Sequence, residues 1–519
     1  MVKDATKTMA TLTALIRKSL GLPWVRLALG LGLGGAIAPF AALAESLPLV
    51  PPPTEAAPVP QGEPQTVPLT LSDLLTLTLE GNRDLRNRVL DRTVERQTLA
   101  AAEQTFDPRF TPTLEVNATL TEFGGVEGSE SELGAVLLGG RTDFDQRVLL
   151  NTNLVTRLGT DIVLGLTPLE GGQLFQFRVS QPLLRGFGTA INEAPVNQAR
   201  LGEISNQLAL RQTVIDTLTT AIVGYNDLVN AQAQVEIQTQ ALARRQRQLE
   251  IVQALVQAGR RAPIDLFDPE RSLADAEGSL VNAQNQLDQA NNAILNLIGT
   301  DRNLRFVVSL DAVRELYAIA AEEVLAYQPE ALVTVALAQR TDYRQAQLQQ
   351  QQQALDLLIA QDELRWQLNA VADGTLGDSS VGVLGLVATR VFGDPDPETN
   401  RVASEIALQQ QDNTLAQLQN EIRNDAIARL AEARSNLQQV EAAERATLNA
   451  RRQVDADQAR GGRDLFEAIS QEESLVTAQT NELAARIAFL NSVARLEQTV
   501  GITLERWVGE INLSPELQE

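Results

Sequence analysis

The 519-residue chain contains no cysteine and no histidine. Disulfides, thiol chemistry, zinc sites of the usual kind and histidine-based general catalysis are therefore excluded. N-terminal acylation of the lipoprotein type, which needs a cysteine, is excluded with them. Aromatic residues are scarce, at 4%. With Ala, Leu, Gln and Glu abundant, that scarcity favours long helices over a conventional globule. Lysine occurs only as Lys3, Lys7 and Lys18, and the net charge is −23. Because Arg17 and Arg26 join those lysines near the start against Asp4 alone, the remainder is more acidic than the whole. Such a surface argues against nucleic-acid binding, which needs basic patches. Past the first 44 residues no apolar run has the length of a spanning helix.

What is present begins with an export signal. Basic residues up to Arg26 precede a short apolar run over 27–38, and Ala42-Leu43-Ala44 follows as an A-x-A cleavage site. Residues 1–44 read as a secretory signal peptide, the apolar run being too short to cross a bilayer comfortably. Residues 45–68, with Pro51-Pro52-Pro53, read as an extended tether.

Long-range order is carried by a seven-residue repeat. Val214, Ala221, Leu228, Val235, Leu242, Leu249 and Val256 are followed, after Gly259-Arg260-Arg261-Ala262-Pro263, by Leu266, Leu273, Leu280, Leu287 and Ile294. Such spacing keeps one helix seam facing a partner. No proline falls between Val196 and Pro263, so a helix of ~65 residues, roughly 100 Å long, is predicted. The break is long enough to reverse the chain into an antiparallel coiled-coil hairpin. A second seam carries Gln232, Thr239, Gln246 and Gln253. One apolar and one wet seam suits the wall of a tube.

Ahead of that hairpin, 70–105 has a helical pattern stopped by Phe106-Asp107-Pro108. The pattern then turns to period two: Phe110, Leu114, Val116, Ala118 and Leu120 alternate with Thr111, Thr113, Glu115, Asn117, Thr119 and Thr121. Residues 147–158 and 160–167 suggest two further strands about Leu158-Gly159-Thr160, and Phe175, Phe177 and Val179 alternate with Gln176, Arg178 and Ser180. An oily face opposite a wet one fits a half-buried sandwich or, in an exported chain, a transmembrane barrel.

The order recurs. A connector over 301–327 carries a possible strand at 306–310, and helix 329–365 places Asp342-Tyr343-Arg344 where 70–105 places Asp84-Leu85-Arg86. Leu368, Ala370 and Ala372 alternate with Gln367, Asn369, Val371 and Asp373; a strand over 381–390 and a second long helix follow. Leu408, Leu415 and Ile422 keep the seven-residue spacing, and Gly461-Gly462 breaks it. Leu273 and Gly299 match Leu475 and Gly501 at one constant offset. Duplication is thus the main organising signal, with repeats over 69–300 and 301–519.

Over about residues 69–505 the chain resembles the TolC-like outer-membrane efflux family. The resemblance rests on the duplicated order, on Ser180-Gln181-Pro182-Leu183-Leu184-Arg185-Gly186 after a strand, and on the turn Gly259-Arg260-Arg261-Ala262-Pro263-Ile264-Asp265-Leu266. It implies a mainly α fold with a membrane β-barrel. Duplicated long antiparallel coiled-coil hairpins would form an α-helical barrel, and strands from a homotrimer would share a 12-stranded β-barrel. Two strands per half, four per chain, meet that count, with 147–167 as an external hairpin. The resemblance implies an outer-membrane channel with a long periplasmic portion, passing small molecules or proteins in an efflux or type I secretion system. Its partners would be a periplasmic adaptor and an inner-membrane pump or ABC transporter; no cofactor is implied.

By motif match the resemblance assigns the adaptor-contact tip to Gly259, Asp265 and Leu266. For the periplasmic gate it points to Arg463, Asp464 and Glu467 in the second turn, which is about three residues shorter than the first. Arg261, Asp265 and Asp268 in the first turn fit the gate spacing equally well, so both turns stay open. Glycines that simply permit reversal, with charges as caps, would look the same. Carboxylates at helical spacing in Gln-rich faces read as solvated surface, so no catalytic site is expected. A periplasmic coiled-coil adaptor or scaffold would share the helical hairpin but needs no lipid-facing strands. A secreted helical-repeat enzyme would need a nucleophile–base pair or metal set that the sequence does not display.

Overall fold

The computed structural model describes residues 65–121, 141–166, 173–300, 303–377, 380–459 and 465–507. The signal peptide, most of the tether, and gate candidates Arg463 and Asp464 lie outside these residues. Residues 65–68, read above as the end of the tether, form strand β1 (Gln65–Pro68).

Each repeat opens on a pair of helices where the sequence suggested one. Helices α1 (Leu71–Gly81) and α2 (Arg83–Glu103) replace the expected 70–105. Thr70 starts α1: its Oγ1 accepts from the Asp73 N–H at 3.2 Å, while the Thr70 N–H donates to Asp73 Oδ2 at 3.3 Å, a capping box. The break falls at Asn82, whose Oδ1 accepts from the Asp84 and Leu85 N–H groups at 2.9 and 3.1 Å. Neither glycine nor proline occupies position 82. The break is set by what the residue reaches across space: Asn82 Nδ2 donates to the Leu297 carbonyl at 3.2 Å.

After a 3-10 turn (Gln104–Phe106) come strands β2 (Arg109–Thr121), β3 (Arg141–Val155), β4 (Asp161–Leu166) and β5 (Gln173–Pro182). A short helix α3 (Thr189–Asn192) leads into α4 (Ala194–Gln257), 64 residues without interruption. At 1.5 Å per residue α4 extends roughly 95 Å. A 3-10 turn (Pro263–Leu266) and helix α5 (Phe267–Ile298) complete the first hairpin.

The second repeat starts with β6 (Leu304–Val307), parallel to β1, and helix α6 (Leu310–Ala326). The strand expected at 306–310 thus starts two residues earlier and ends at Val307, three residues before α6 begins. Helices α7 (Pro329–Gln339) and α8 (Thr341–Glu363) again replace one expected helix. Strands β7 (Gln367–Gly377) and β8 (Val381–Thr389), helix α9 (Asp396–Ala459), helix α10 (Leu465–Val500) and the short α11 (Thr503–Trp507) follow. Helix α9, like α4, has 64 residues.

Two apolar cores sit where each hairpin meets its repeat's opening helices. In the first, Leu74, Leu75, Leu218, Leu228 and Ile294 are wholly enclosed. In the second, Ile422, Ala433, Val440, Phe489 and Val500 are. Burying each Leu or Ile contributes about 1.5–3 kcal/mol. The heptad seam is deepest here, at Val214, Ala221 and Leu228, and only half-buried at Val235, Leu242 and Leu249. Gln232, on the wet seam, exchanges two hydrogen bonds with the Val308 backbone, both 2.9 Å. Asn291 likewise donates to the Leu304 carbonyl and accepts from the Phe306 N–H, both 2.8 Å. Asn291 thus satisfies the edge of β6 that β1 leaves open, and Gln232 the residue just after it.

The large sheet has six strands in the order β2-β3-β4-β5-β7-β8, each pair antiparallel. This corrects two expectations. The residues read as an external hairpin are β3 and β4, inside the sheet between β2 and β5, and among the described residues the sheet has six strands rather than the four per chain that a 12-stranded trimer requires. The reason is local. Gly159 (φ 89) allows the tight reversal at Leu158-Gly159-Thr160, and a Cβ there would lie 2.4 Å from the Gly186 carbonyl oxygen. The turn therefore seats directly on the corner where β5 becomes helix.

Candidate functional site

The sheet has two chemically different faces. Register places Asn151, Asn153, Gln176, Arg178, Ser180, Asp373 and Thr375 on one side. Arg178 Nε donates to Asp373 Oδ1 at 2.7 Å across β5 and β7. The opposite side carries Leu164, Leu166, Phe175, Phe177, Val179 and Leu376. The Phe177 ring covers Gly374, where a Cβ would stand 2.2 Å from a ring carbon. Edge strand β8 departs from the pattern. Val381, Val383 and Val387 fall on the polar side, while Leu384 (86% exposed) and Leu386 (70%) fall on the other. At the helix-side rim, Trp366 and Phe392 meet edge to face at 6.0 Å, with the Arg390 guanidinium 5.1 Å from the Trp366 ring. Amphipathic aromatics at such a rim suit a membrane–water boundary.

The strand-to-helix corner is held by the Gln181-Pro182-Leu183-Leu184-Arg185-Gly186 segment. The Leu183 and Arg185 N–H groups donate to the Leu368 and Trp366 carbonyls at 2.7 and 3.1 Å. The Gly186 N–H donates to the buried Asp362 carboxylate at 2.6 Å, and Asn192 Nδ2 to the Gly186 and Gly188 carbonyls at 2.8 and 2.9 Å.

At the far end of the first hairpin, Gly259 (φ 69) closes α4 in the left-handed conformation, and the Arg260 N–H returns to the Leu255 carbonyl at 2.9 Å. This is a Schellman stop, for which glycine is the favoured residue. Asp265 and Leu266 share the 3-10 turn after it, both half-buried, and Asp268 is exposed in the first turn of α5. The turn displays Ile264 (69% exposed) and Phe267 (68%), with Pro269 buried beneath. These two apolar residues were not singled out from the sequence. Among the described residues no ion pair joins Arg261 to Asp265 or Asp268 within the chain. Glu467 is exposed in the first turn of α10 and accepts from Gln471 Nε2 at 3.3 Å.

Helices α4 and α10 are joined by a polar ladder descending toward the tips. Asn226 Nδ2 donates to Asn491 Oδ1 at 2.8 Å and Gln234 Nε2 to Thr480 Oγ1 at 3.4 Å. At the lowest rung Arg245 reaches the Ile469 carbonyl at 3.4 Å and Glu472 at 3.8 Å. Neighbouring Arg244 is held below the usual guanidinium value by burial, against the pull of Glu472. Sequence reading missed this rung, since arginine among glutamines looks like solvated surface until a partner helix is placed. Higher up, burial pushes the Glu497 carboxyl to about 7, although Arg506 lies beside it and draws it down.

No helix among the described residues is long and apolar enough to cross a membrane. A two-faced sheet carried on duplicated hairpins, each led by a 64-residue helix, is the architecture of outer-membrane channel-tunnels. Residues 176–300 match the family model described as "Outer membrane efflux protein", and the chain shares the fold of the TolC-like outer-membrane efflux channels. It superposes on CusC, whose crystal structures are described in terms of folding and transmembrane channel formation, with a TM-score of 0.60 at 16% identity, covering 84% of this chain and 93% of that one. For the CmeC outer-membrane channel of Campylobacter jejuni the TM-score is 0.59 at 12% identity, covering 85% and 89%. For the open state of the MtrE outer-membrane channel of Neisseria gonorrhoeae it is 0.58 at 15% identity, covering 83% and 88%. No curated protein sequence matches the chain. The family model and these structures describe channels, not enzymes.

Proposed function

We propose that the chain is the outer-membrane channel-tunnel of a multi-component efflux or type I secretion system, passing small molecules or proteins to the exterior. The signal peptide over 1–44 exports it. Three copies close the sheet into a barrel, since an open sheet edge is not tolerated in lipid. The observation that carries this reading is the division of faces along one register, with Arg178, Asp373, Gln176 and Asn151 turned one way and Phe175, Phe177, Leu164 and Leu166 the other. The polar face lines water and the apolar face meets lipid. The helices extend through the periplasm toward an inner-membrane pump or ABC transporter.

A periplasmic adaptor docks at the tip formed by Gly259, Asp265 and Leu266, where exposed Ile264 and Phe267 supply apolar area. Arg463, Asp464 and Glu467 of the second turn, or Arg261 and Asp268 of the first, constrict the mouth between neighbouring copies. The Arg245–Glu472 rung holds the second hairpin against the first in the closed state. Adaptor binding favours the splayed state by its differential affinity. A net charge of −23 makes the conduit favour cationic or neutral solutes. Reconstitution of the mature chain in a planar bilayer tests the reading. Discrete cation-preferring conductance steps are expected, and a water-soluble monomer without conductance would refute it.

A further inference from the structure

One crosswise row runs through the whole sheet: Arg109, Asn153, Val163, Arg178, Asp373 and Val383 pair in succession. From that row the helix-side ends of β2, β3, β4, β5, β7 and β8 lie zero, two, two, four, six and six residues away. The ends descend steadily across the sheet, and β3 and β4 fall on the same slope as the rest. Six residues at ~3.3 Å against five strand spacings at ~4.8 Å give a tilt of ~40°. Closed barrels have strands tilted by about 35–45°.

The two central strands obey the division of faces as well. Register puts Val163 and Gly165 with Arg178 and Gln176, and Ile162, Leu164 and Leu166 with Val179, Phe177 and Phe175. A hairpin standing off the wall would have no reason to keep either the slope or the sidedness. The outer strands complete the geometry. Strand β2 leaves the helical region and β8 returns to it, so β8 of one copy meets β2 of the next antiparallel, as every other pair in the sheet does.

We propose that the membrane wall of the assembled trimer has eighteen strands, six from each copy, so that the β3–β4 pair widens the outer mouth. At ~40° tilt an eighteen-stranded ring has a backbone diameter of ~36 Å, against ~24 Å for twelve. Rings of 16–18 strands enclose an aqueous channel, so the wider mouth admits bulkier cargo than a twelve-stranded one. The inference rests on the trimeric channel reading.

Images of the detergent-purified full-length trimer viewed down the pore axis test it directly. Eighteen strands are expected. A trimer with twelve, and three hairpins off the ring, would overturn the inference and leave the channel reading standing; a monomer would overturn both. Thiol labelling in native outer membranes gives a second measurement, since the chain has no cysteine of its own. Val163→Cys should react with a charged, membrane-impermeant maleimide about tenfold faster than Leu166→Cys, because one faces water and the other lipid. Equal rates would mean that both faces of β4 are wet, and would overturn the proposal.

Discussion

Asn82 and Arg340 hold the same place in the two halves of the chain. Each interrupts a pair of opening helices, and each reaches a carbonyl near the end of the returning helix of its hairpin: Asn82 the Leu297 oxygen at 3.2 Å, Arg340 the Thr499 oxygen at 3.5 Å. Leu297 and Thr499 are separated by the same interval as Gly299 and Gly501. The next turn repeats the theme, with Arg86 donating to the Glu80 carbonyl at 2.9 Å and Arg344 to the Ala338 carbonyl at 2.5 Å. Asn82→Ala removes both the helix cap and the bridge, and should lower stability by about 1–2 kcal/mol. Asn82→Ser keeps a capping oxygen and loses the bridge without burying a charge, so its effect should be smaller. Denaturant midpoints of the detergent-solubilised protein distinguish the two.

Gly81 approaches the same junction. A Cβ on it would stand 2.0 Å from the Ile298 carbonyl oxygen, which is backbone and cannot turn aside. Gly81→Ala should therefore cost about 3 kcal/mol or more, an overpacking penalty. Gly202, within α4, meets nothing within 4 Å. Gly202→Ala should leave stability unchanged or raise it by up to ~1 kcal/mol through helix propensity. Melting temperatures measured side by side check the contrast; equal shifts would show that the junction is not closely packed.

Burial raises the Glu497 carboxyl from 4.5 to about 7. A group whose folded value is raised contributes stability that is fully present below its unfolded value and is lost as pH climbs through the folded one. Stability should therefore fall between about pH 4.5 and pH 7 by at most ~3 kcal/mol and then level off. In Glu497→Gln this slope should disappear. A slope that persists in the variant would assign it to other groups.

If Arg245 and Glu472 clasp the two hairpins, Arg245→Ala and Glu472→Ala should each raise the conductance of the reconstituted channel. The double variant should gain little beyond either single one, because both remove the same link. Asp265→Ala and Asp464→Ala should also raise conductance if the turns supply the constriction. Unchanged currents in all four variants would leave the mouth held by groups other than these.

The helices were legible because nothing local competes with their pattern. Apolar residues every seventh position, with proline only at the second residue of each helix (Pro195 and Pro397), give two 64-residue helices, and the matched glycines 299 and 501 mark both returns. The breaks at Asn82 and Arg340 were not legible, since carbonyls more than 150 residues away fix them. Strands β3 and β4 were legible as strands but not as members of the sheet. Asn151-Thr152-Asn153 blurs the alternation of β3, and the register that binds β4 to β5 comes from pairing, not composition. At the tip, Gly259, Asp265 and Leu266 were indicated only by the family resemblance, and Ile264 and Phe267, whose exposure depends on how the reversal presents them, were passed over.

The pairing of β2 with β3 continues from Thr113 and Leu149 to Thr121 and Arg141, beyond the level at which Leu166 ends β4. In the barrel proposed above, this double-stranded ribbon would stand clear of the rim like a mast. It would be the first part of the molecule met by an antibody, a phage tail fibre or a protease arriving from the medium. An epitope inserted there would report on intact cells which way the chain is threaded.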